Sequence, residues 1–351
     1  MKLIKTFLCL LMVMGLLVNL TGCPKTVIEA EPQGKVYFTF FDTVSYIYSY
    51  NGESSEEFDA NCTEIATVLH EYHQMLDINY EYTGVTNLCT LNKNAGGEMI
   101  VLDERLIDFL VYAKELYTLT NGEMNVMMGS VLYPWHECRT AAGDDPKNAK
   151  IPDMAELTAL SELTDIGFLE IDEENLSARI TKKGARIDVG ALGKGYATEI
   201  AAKQLELKGI SSYVLNIGGN IRVVGTKPSG EGWLTGIKDP QKHETDYAKK
   251  IVLSDASCVT SGSYERFYTV DGKKYHHVID KDTLMPSEHF ASVSVVCKSS
   301  ALADALSTAL FCMSVEDGKR LLENIDGVAA YWIDNEGNEY MTDSFKALVS
   351  E

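Results

Sequence analysis

The chain has 351 residues, 45% of them hydrophobic, and its 51 acidic residues outweigh 31 lysines and arginines to give a net charge of −20. That length and apolar share supply a full-sized core for one large domain or two intimately joined ones, and exclude a disordered chain. The acidic field repels phosphate backbones and argues against nucleic acid as a partner.

At the start, Met1, Lys2 and Lys5 lead into an apolar stretch from Phe7 to Leu20 that closes on Leu20-Thr21-Gly22-Cys23. A charged start, a short apolar core and small residues before the cut mark a secretory signal over residues 1–22. Cys23 is the expected lipidation site of a membrane-anchored lipoprotein facing the extracytoplasmic side; an ordinary signal with a chance cysteine is the alternative. The remaining organisation is then an anchor and linker over 23–35 and a single domain over 36–345. Cys62, Cys89, Cys138, Cys258, Cys297 and Cys312 are scattered without a CxxC pair, which leaves no zinc spacing and allows either disulfides or buried thiols.

Along the chain, Phe58, Cys62, Ile65, Leu69, Tyr72 and Leu76 recur at three- and four-residue steps behind Ser54, which predicts an N-capped amphipathic helix from Ser54 to Leu76. Further helices are expected at Glu104–Leu119, Lys194–Leu207 and Ser300–Met313. Strand-like runs occupy Val36–Phe41, Tyr213–Ile217, Ile221–Val224, Trp233–Ile237, Arg266–Val270, Tyr275–Ile279 and Ser292–Val296. Asp271-Gly272 is a two-residue hairpin signal, and His136 to Lys150 reads as a surface loop. Helices and strands interleave without regular βαβ alternation, so the expected class is mixed α+β with mainly antiparallel sheets and packed helices.

Several segments carry candidate chemistry. Asp188-Val189-Gly190-Ala191-Leu192-Gly193-Lys194-Gly195-Tyr196 packs three glycines, an acid and a lysine into a helix start, which suits phosphate, or is a plain strand-to-helix turn. It is not a Walker A loop, because Asp188 stands at the first glycine and Gly195 at the metal-binding hydroxyl. Asn216-Ile217-Gly218-Gly219 reads as a tight hairpin or a close backbone approach, and Thr260-Ser261-Gly262-Ser263-Tyr264 as a ligand cradle or a loop. On the second strand of the predicted hairpin, His276 and His277 point to opposite faces, so they cannot share a metal; one is a candidate acid or base. Asp304 and Thr308 lie one turn apart in a nearly apolar helix, so two oxygen ligands converge there and an oxygen-only pair favours magnesium over zinc, or Asp304 is an exposed acid on a helix edge.

In this order the segments resemble the ApbE family, the FAD:protein FMN transferases, from about Phe38 to Met313. Asp188 to Tyr196 is similar to the family's Asp-x-x-Ala-x-x-Lys-Gly-Tyr-Ala block and Asn216 to Arg222 to its Asn-x-Gly-Gly block; the Thr260, Tyr275 and Asp304 segments complete the series. The resemblance implies a T-fold-like architecture and Mg²⁺ held by Asp304, Thr308 and the Ala191 carbonyl. It implies FAD contacts from Phe41, Met124, Asn125, Asp188 and Lys194, with His277 as the catalytic histidine. The implied reaction moves FMN from FAD onto a threonine or serine of an acceptor flavoprotein and releases AMP. An FAD pyrophosphatase giving FMN and AMP, and a non-catalytic FAD-binding lipoprotein, are the alternatives. Two departures stand out: Asn125 occupies a position where the family has aspartate, and Lys281-Asp282-Thr283-Leu284 replaces Pro-x-Thr-Gly.

Overall fold

The computed structural model describes residues 31–242 and 246–350. The expected signal peptide and Cys23 lie outside the described residues. At the centre is an eight-stranded sheet in the spatial order Gln33–Phe40, Thr43–Ser49, Tyr213–Ile217, Asn220–Val224, Ser257–Gly262, Phe290–Cys297, Ala329–Asp334, Glu339–Met341. Every neighbouring pair in it is antiparallel. The expected α+β class is therefore what the chain adopts.

Helices Ser55–Leu76, Gly193–Leu207 and Ser300–Phe311 cover one face of this sheet. The hairpin Trp233–Lys238 with Tyr247–Leu253 covers the other through Trp233, Ile237, Ile251 and Leu253. Strand Phe290–Cys297 feeds both layers, with Val293, Val295 and Cys297 toward the helices and Val296 toward the hairpin, as a side-chain period of two requires. A three-stranded sheet of Ile100–Val101, Ser177–Ile180 and Leu169–Asp172 and the hairpin Phe267–Val270 with Lys273–His276 flank this core.

The long first helix starts where its capping signal stands. The Ser54 hydroxyl accepts from the Glu57 N–H at 3.2 Å, and the Glu57 carboxylate accepts from the Ser54 N–H at 2.9 Å. Such a cap stabilises a helix by about 1 kcal/mol. Asp271-Gly272 forms the predicted hairpin turn, both residues at positive φ, between Val270 and Lys273.

Three expectations change. Residues 136–144, read as part of a surface loop, belong to helix Gly129–Asp144, which runs through Pro134 and buries Val131, Trp135, Cys138 and Ala142 at helical spacing. The strand expected at Tyr275–Ile279 stops at His276, because the two-residue turn pairs Lys273 with Val270 and sets the register. Thr260 to Gly262 lies in a central strand, where the Thr260 hydroxyl is 2.7 Å from that of Ser294 on the neighbouring strand. The six cysteines of the described residues are free thiols, five of them buried. Burial pushes the Cys62, Cys258 and Cys297 thiols up to about 12.

Candidate active site

The site grows from the contact between helices Gly193–Leu207 and Ser300–Phe311. Gly195 makes that contact possible: a Cβ there would lie 2.5 Å from the Ser300 carbonyl oxygen and closer still to the Asp304 Cβ. The Gly195 N–H donates to Asp304 Oδ2 at 2.8 Å and Lys194 Nζ lies 3.7 Å from Oδ1, so the carboxylate, only 3% exposed, is met by a backbone donor and a cation. Because that N–H turns to Asp304 instead of the carbonyl four residues back, no backbone donor of the described residues holds the Ala191 carbonyl. Thr308, half-buried one turn beyond Asp304, has its hydroxyl 3.3 Å from that of Ser261 on the central strand. Ser261 is in turn 2.8 Å from Ser307.

Asp188 enters the same end. Its N–H donates to the Val126 carbonyl at 2.8 Å, which ties it to the Met124-Asn125 segment, and its Oδ1 accepts from the Gly190 N–H at 2.8 Å. Met124 is 2% exposed and packs in the core. Asn125 spends its side chain locally, donating to the Thr164 carbonyl at 2.8 Å and accepting from the Met127 N–H at 2.9 Å. Phe41 stands at the tip of the first hairpin. Phe41 and Asp42 both have positive φ, and the Phe41 N–H donates to His73 Nδ1 at 3.2 Å. A bulky aromatic residue in that region is strained, and such strain concentrates at functional positions. The Gly218-Gly219 turn lies against this tip, where a Cβ on Gly218 would meet the Thr43 side chain at 2.5 Å.

His277 follows the strand Lys273–His276, and the two histidines separate as expected: His276 Nε2 bonds the Ser287 carbonyl at 2.8 Å, and His277 Nδ1 the Arg266 carbonyl at 3.2 Å. A carbonyl only accepts, so Nδ1 of His277 carries the proton and its Nε2 keeps a free lone pair. Burial, reinforced by Arg266, Arg139, His276 and Lys194, pushes the His277 imidazole down to about 3, and the ring is neutral at physiological pH. Asp280 does not face this chemistry: its Oδ1 accepts from the N–H groups of Asp282 and Thr283 and fixes the turn after the histidines.

Two cavities lie off this cluster. One of about 360 Å³ is bordered by Tyr112, Tyr196 and Glu199 on the outer side of the helices, and one of about 200 Å³ by Tyr275, His276 and Pro286. Neither is lined by Asp304, Thr308, Lys194 or His277, so the chemistry of the side chains, and not the size of a hollow, locates the site. Sequence reading did not single out Gly195 as a packing requirement, nor Ser307, Arg139 or Arg266. Ser261 lay within a motif already noted, whereas the Arg266 carbonyl meets His277 only through folding of the hairpin.

A buried carboxylate met by a lysine and a backbone N–H at a glycine-rich helix start, on a mixed α+β scaffold, is chemistry suited to an enzyme that handles phosphate. The chain belongs to the ApbE family, whose pattern matches residues 41–332. An FAD:protein FMN transferase of Vibrio cholerae is 27% identical over 344 residues, covering 97% of this chain and 99% of the relative. One of Treponema pallidum is 31% identical over 310 residues, covering 83% and 82%. Among solved structures, the flavin transferase ApbE from Vibrio cholerae matches with a TM-score of 0.75 at 25% identity, over 91% of this chain and 99% of that one. The ApbE protein from Thermotoga maritima shares the fold with a TM-score of 0.79 at 24% identity, over 92% and 100%.

Proposed function

We propose that this chain transfers FMN from FAD to the hydroxyl of a threonine or serine on an acceptor protein and releases AMP, working from a lipid anchor at Cys23 on the extracytoplasmic side of a membrane. The observation that carries the reading is the buried Asp304 carboxylate, met by the Gly195 N–H and the Lys194 ammonium at a glycine-rich helix start. The names of the relatives support flavin transfer.

In this reaction the acceptor oxygen forms a bond to the FMN phosphorus as the bond to the bridging pyrophosphate oxygen breaks. The acceptor proton goes to His277 Nε2, and the electron pair of the broken bond leaves on AMP. The Arg266 carbonyl fixes the imidazole in the tautomer that can accept that proton. Burial is the main cause of the depressed His277 basicity and the neighbouring cations add to it; negative charge arriving with the pyrophosphate opposes the second part only. Lys194 and the N–H groups of the helix start orient the phosphates.

The donors also fit magnesium. One carboxylate, one hydroxyl and one carbonyl are an oxygen-only set of the kind magnesium takes, and no group of three His, Cys, Asp or Glu among the described residues offers a competing site. Bound there, the ion would offset charge on the pyrophosphate.

The test mixes the chain from residue 24 with FAD, Mg²⁺ and a candidate acceptor domain, and reads flavin fluorescence after denaturation together with intact mass. A mass gain of one FMN on the acceptor, lost in Asp304→Asn, is the expected result. Free FMN and AMP with every acceptor unlabelled would favour a pyrophosphatase, and FAD bound without turnover would leave a carrier.

A further inference from the structure

Four oxygens form a chain between the central sheet and helix Ser300–Phe311. Ser307 Oγ lies 2.9 Å from the Asp304 carbonyl oxygen, Ser261 Oγ 2.8 Å from Ser307 Oγ, and Thr308 Oγ1 3.3 Å from Ser261 Oγ. Ser307 is fully buried, and Ser261 and Thr308 are half-buried. Ser261 reaches the helix from strand Ser257–Gly262, which packs on it.

A hydroxyl has one proton to donate, so the direction of each link follows from the one before it. The Asp304 carbonyl only accepts, and the Ser307 proton is therefore committed there, in the back-bond that serines commonly make within a helix. With that proton engaged, the contact between the two serines is a hydrogen bond only when Ser261 donates. The Ser261 proton is then engaged as well, and the next contact is a hydrogen bond only when Thr308 donates. The Thr308 proton thus points at the central strand. Among the described residues Thr308 Oγ1 has no other hydrogen-bond partner, so its lone pairs are left free.

That orientation decides what the Thr308 oxygen can do. A hydroxyl whose proton faces a cation repels it, whereas one whose proton is held elsewhere offers lone pairs alone. Groups standing behind a metal ligand commonly orient it in this way. We propose that Ser261 and Ser307 are positioning residues: they turn the Thr308 proton toward the strand and so make its oxygen a ligand for a divalent cation. The proposal rests on the magnesium reading given above. Ser307 sets the direction of the chain through the Asp304 carbonyl, and Ser261 transmits it from the helix to Thr308 by way of the sheet.

The test measures cation binding directly, by titrating the FAD-loaded protein with Mn²⁺, which takes oxygen ligands as Mg²⁺ does, and following its electron paramagnetic resonance signal. Ser261→Ala and Ser307→Ala should each weaken Mn²⁺ binding roughly tenfold or more, with FAD affinity in metal-free buffer unchanged. Ser261→Thr, which keeps the hydroxyl, should bind Mn²⁺ as wild type does. With Thr308→Val already in place, adding Ser261→Ala should cost nothing further, because the residue it orients is gone. Wild-type Mn²⁺ affinity in both alanine variants would overturn the relay and leave the magnesium reading standing. An equal loss from Ser261→Ala with or without Thr308→Val, or a matching loss of FAD affinity in metal-free buffer, would also overturn it, by making the serines a tether between strand and helix. Wild type that binds FAD but no Mn²⁺ would overturn the magnesium reading and the relay together.

Discussion

Asp304 sits on a helix clamped between the central sheet and helix Gly193–Leu207, whereas His277 hangs beyond the end of a two-stranded hairpin whose Lys273 and Lys274 are exposed. The first is fixed by core packing, with a glycine in place of every possible side chain at the closest approach. The second is fixed by one hydrogen bond to a backbone carbonyl. The acid end is therefore inseparable from the fold, and the histidine end can be altered while the fold stands.

The largest expected effect sharpens that contrast. His277→Gln should lower the transfer rate by roughly 10²–10⁴-fold with FAD affinity and melting midpoint near wild type. A matching loss of FAD binding would break the contrast, by making His277 a structural residue. Next in size, Gly195→Ala should destabilise the protein by about 3 kcal/mol in urea unfolding and remove activity with it, because its neighbours are a backbone carbonyl and the Asp304 Cβ, neither of which can swing away. A cost below about 1 kcal/mol would mean that the helix junction yields more than close packing allows.

A smaller effect follows from protonation. The folded-state pKa of His277 is pushed down to about 3 from an ordinary 6.5, so below that ordinary value the unfolded chain binds a proton that the folded chain refuses. Its contribution is level above 6.5 and becomes increasingly destabilising as pH falls toward 3. His136 and His276, both lowered by burial, act in the same direction. The urea midpoint should fall between about pH 7.5 and pH 5, and fall less in His277→Gln. Smallest, Ser54→Ala should cost about 1 kcal/mol of stability and leave transfer untouched, since the cap it removes is remote from both ends.

Periodicity made the helices legible: Ser55–Leu76 begins at its capping box, and Ser300–Phe311 ends two residues short of the expected point. Gly129–Asp144 escaped because the run Gly143-Asp144-Asp145-Pro146 reads as a loop, while tertiary burial of Trp135 and Cys138 sustains the helix. Ser257–Gly262 escaped because its hydroxyls look like loop residues until the neighbouring strand supplies their partners. Ala329–Asp334 is buried along almost its whole length, so no alternation marks it. Within the site, Asp304 and Thr308 could be paired from spacing alone. The Arg266 carbonyl that holds His277 is supplied by the opposite strand end of the hairpin, a partner set by pairing register and not by any motif.

The five buried free cysteines among the described residues give the protein an internal clock for its own opening. Thiols whose ionisation is suppressed by burial are slow to alkylate in the folded chain and fast once exposed. Cys62 reports on the first helix, Cys138 on the helix that carries Arg139, and Cys258 and Cys297 on adjacent central strands. Peptide-resolved alkylation rates can therefore time the loosening of the histidine side of the site against that of the sheet, without adding a label to either.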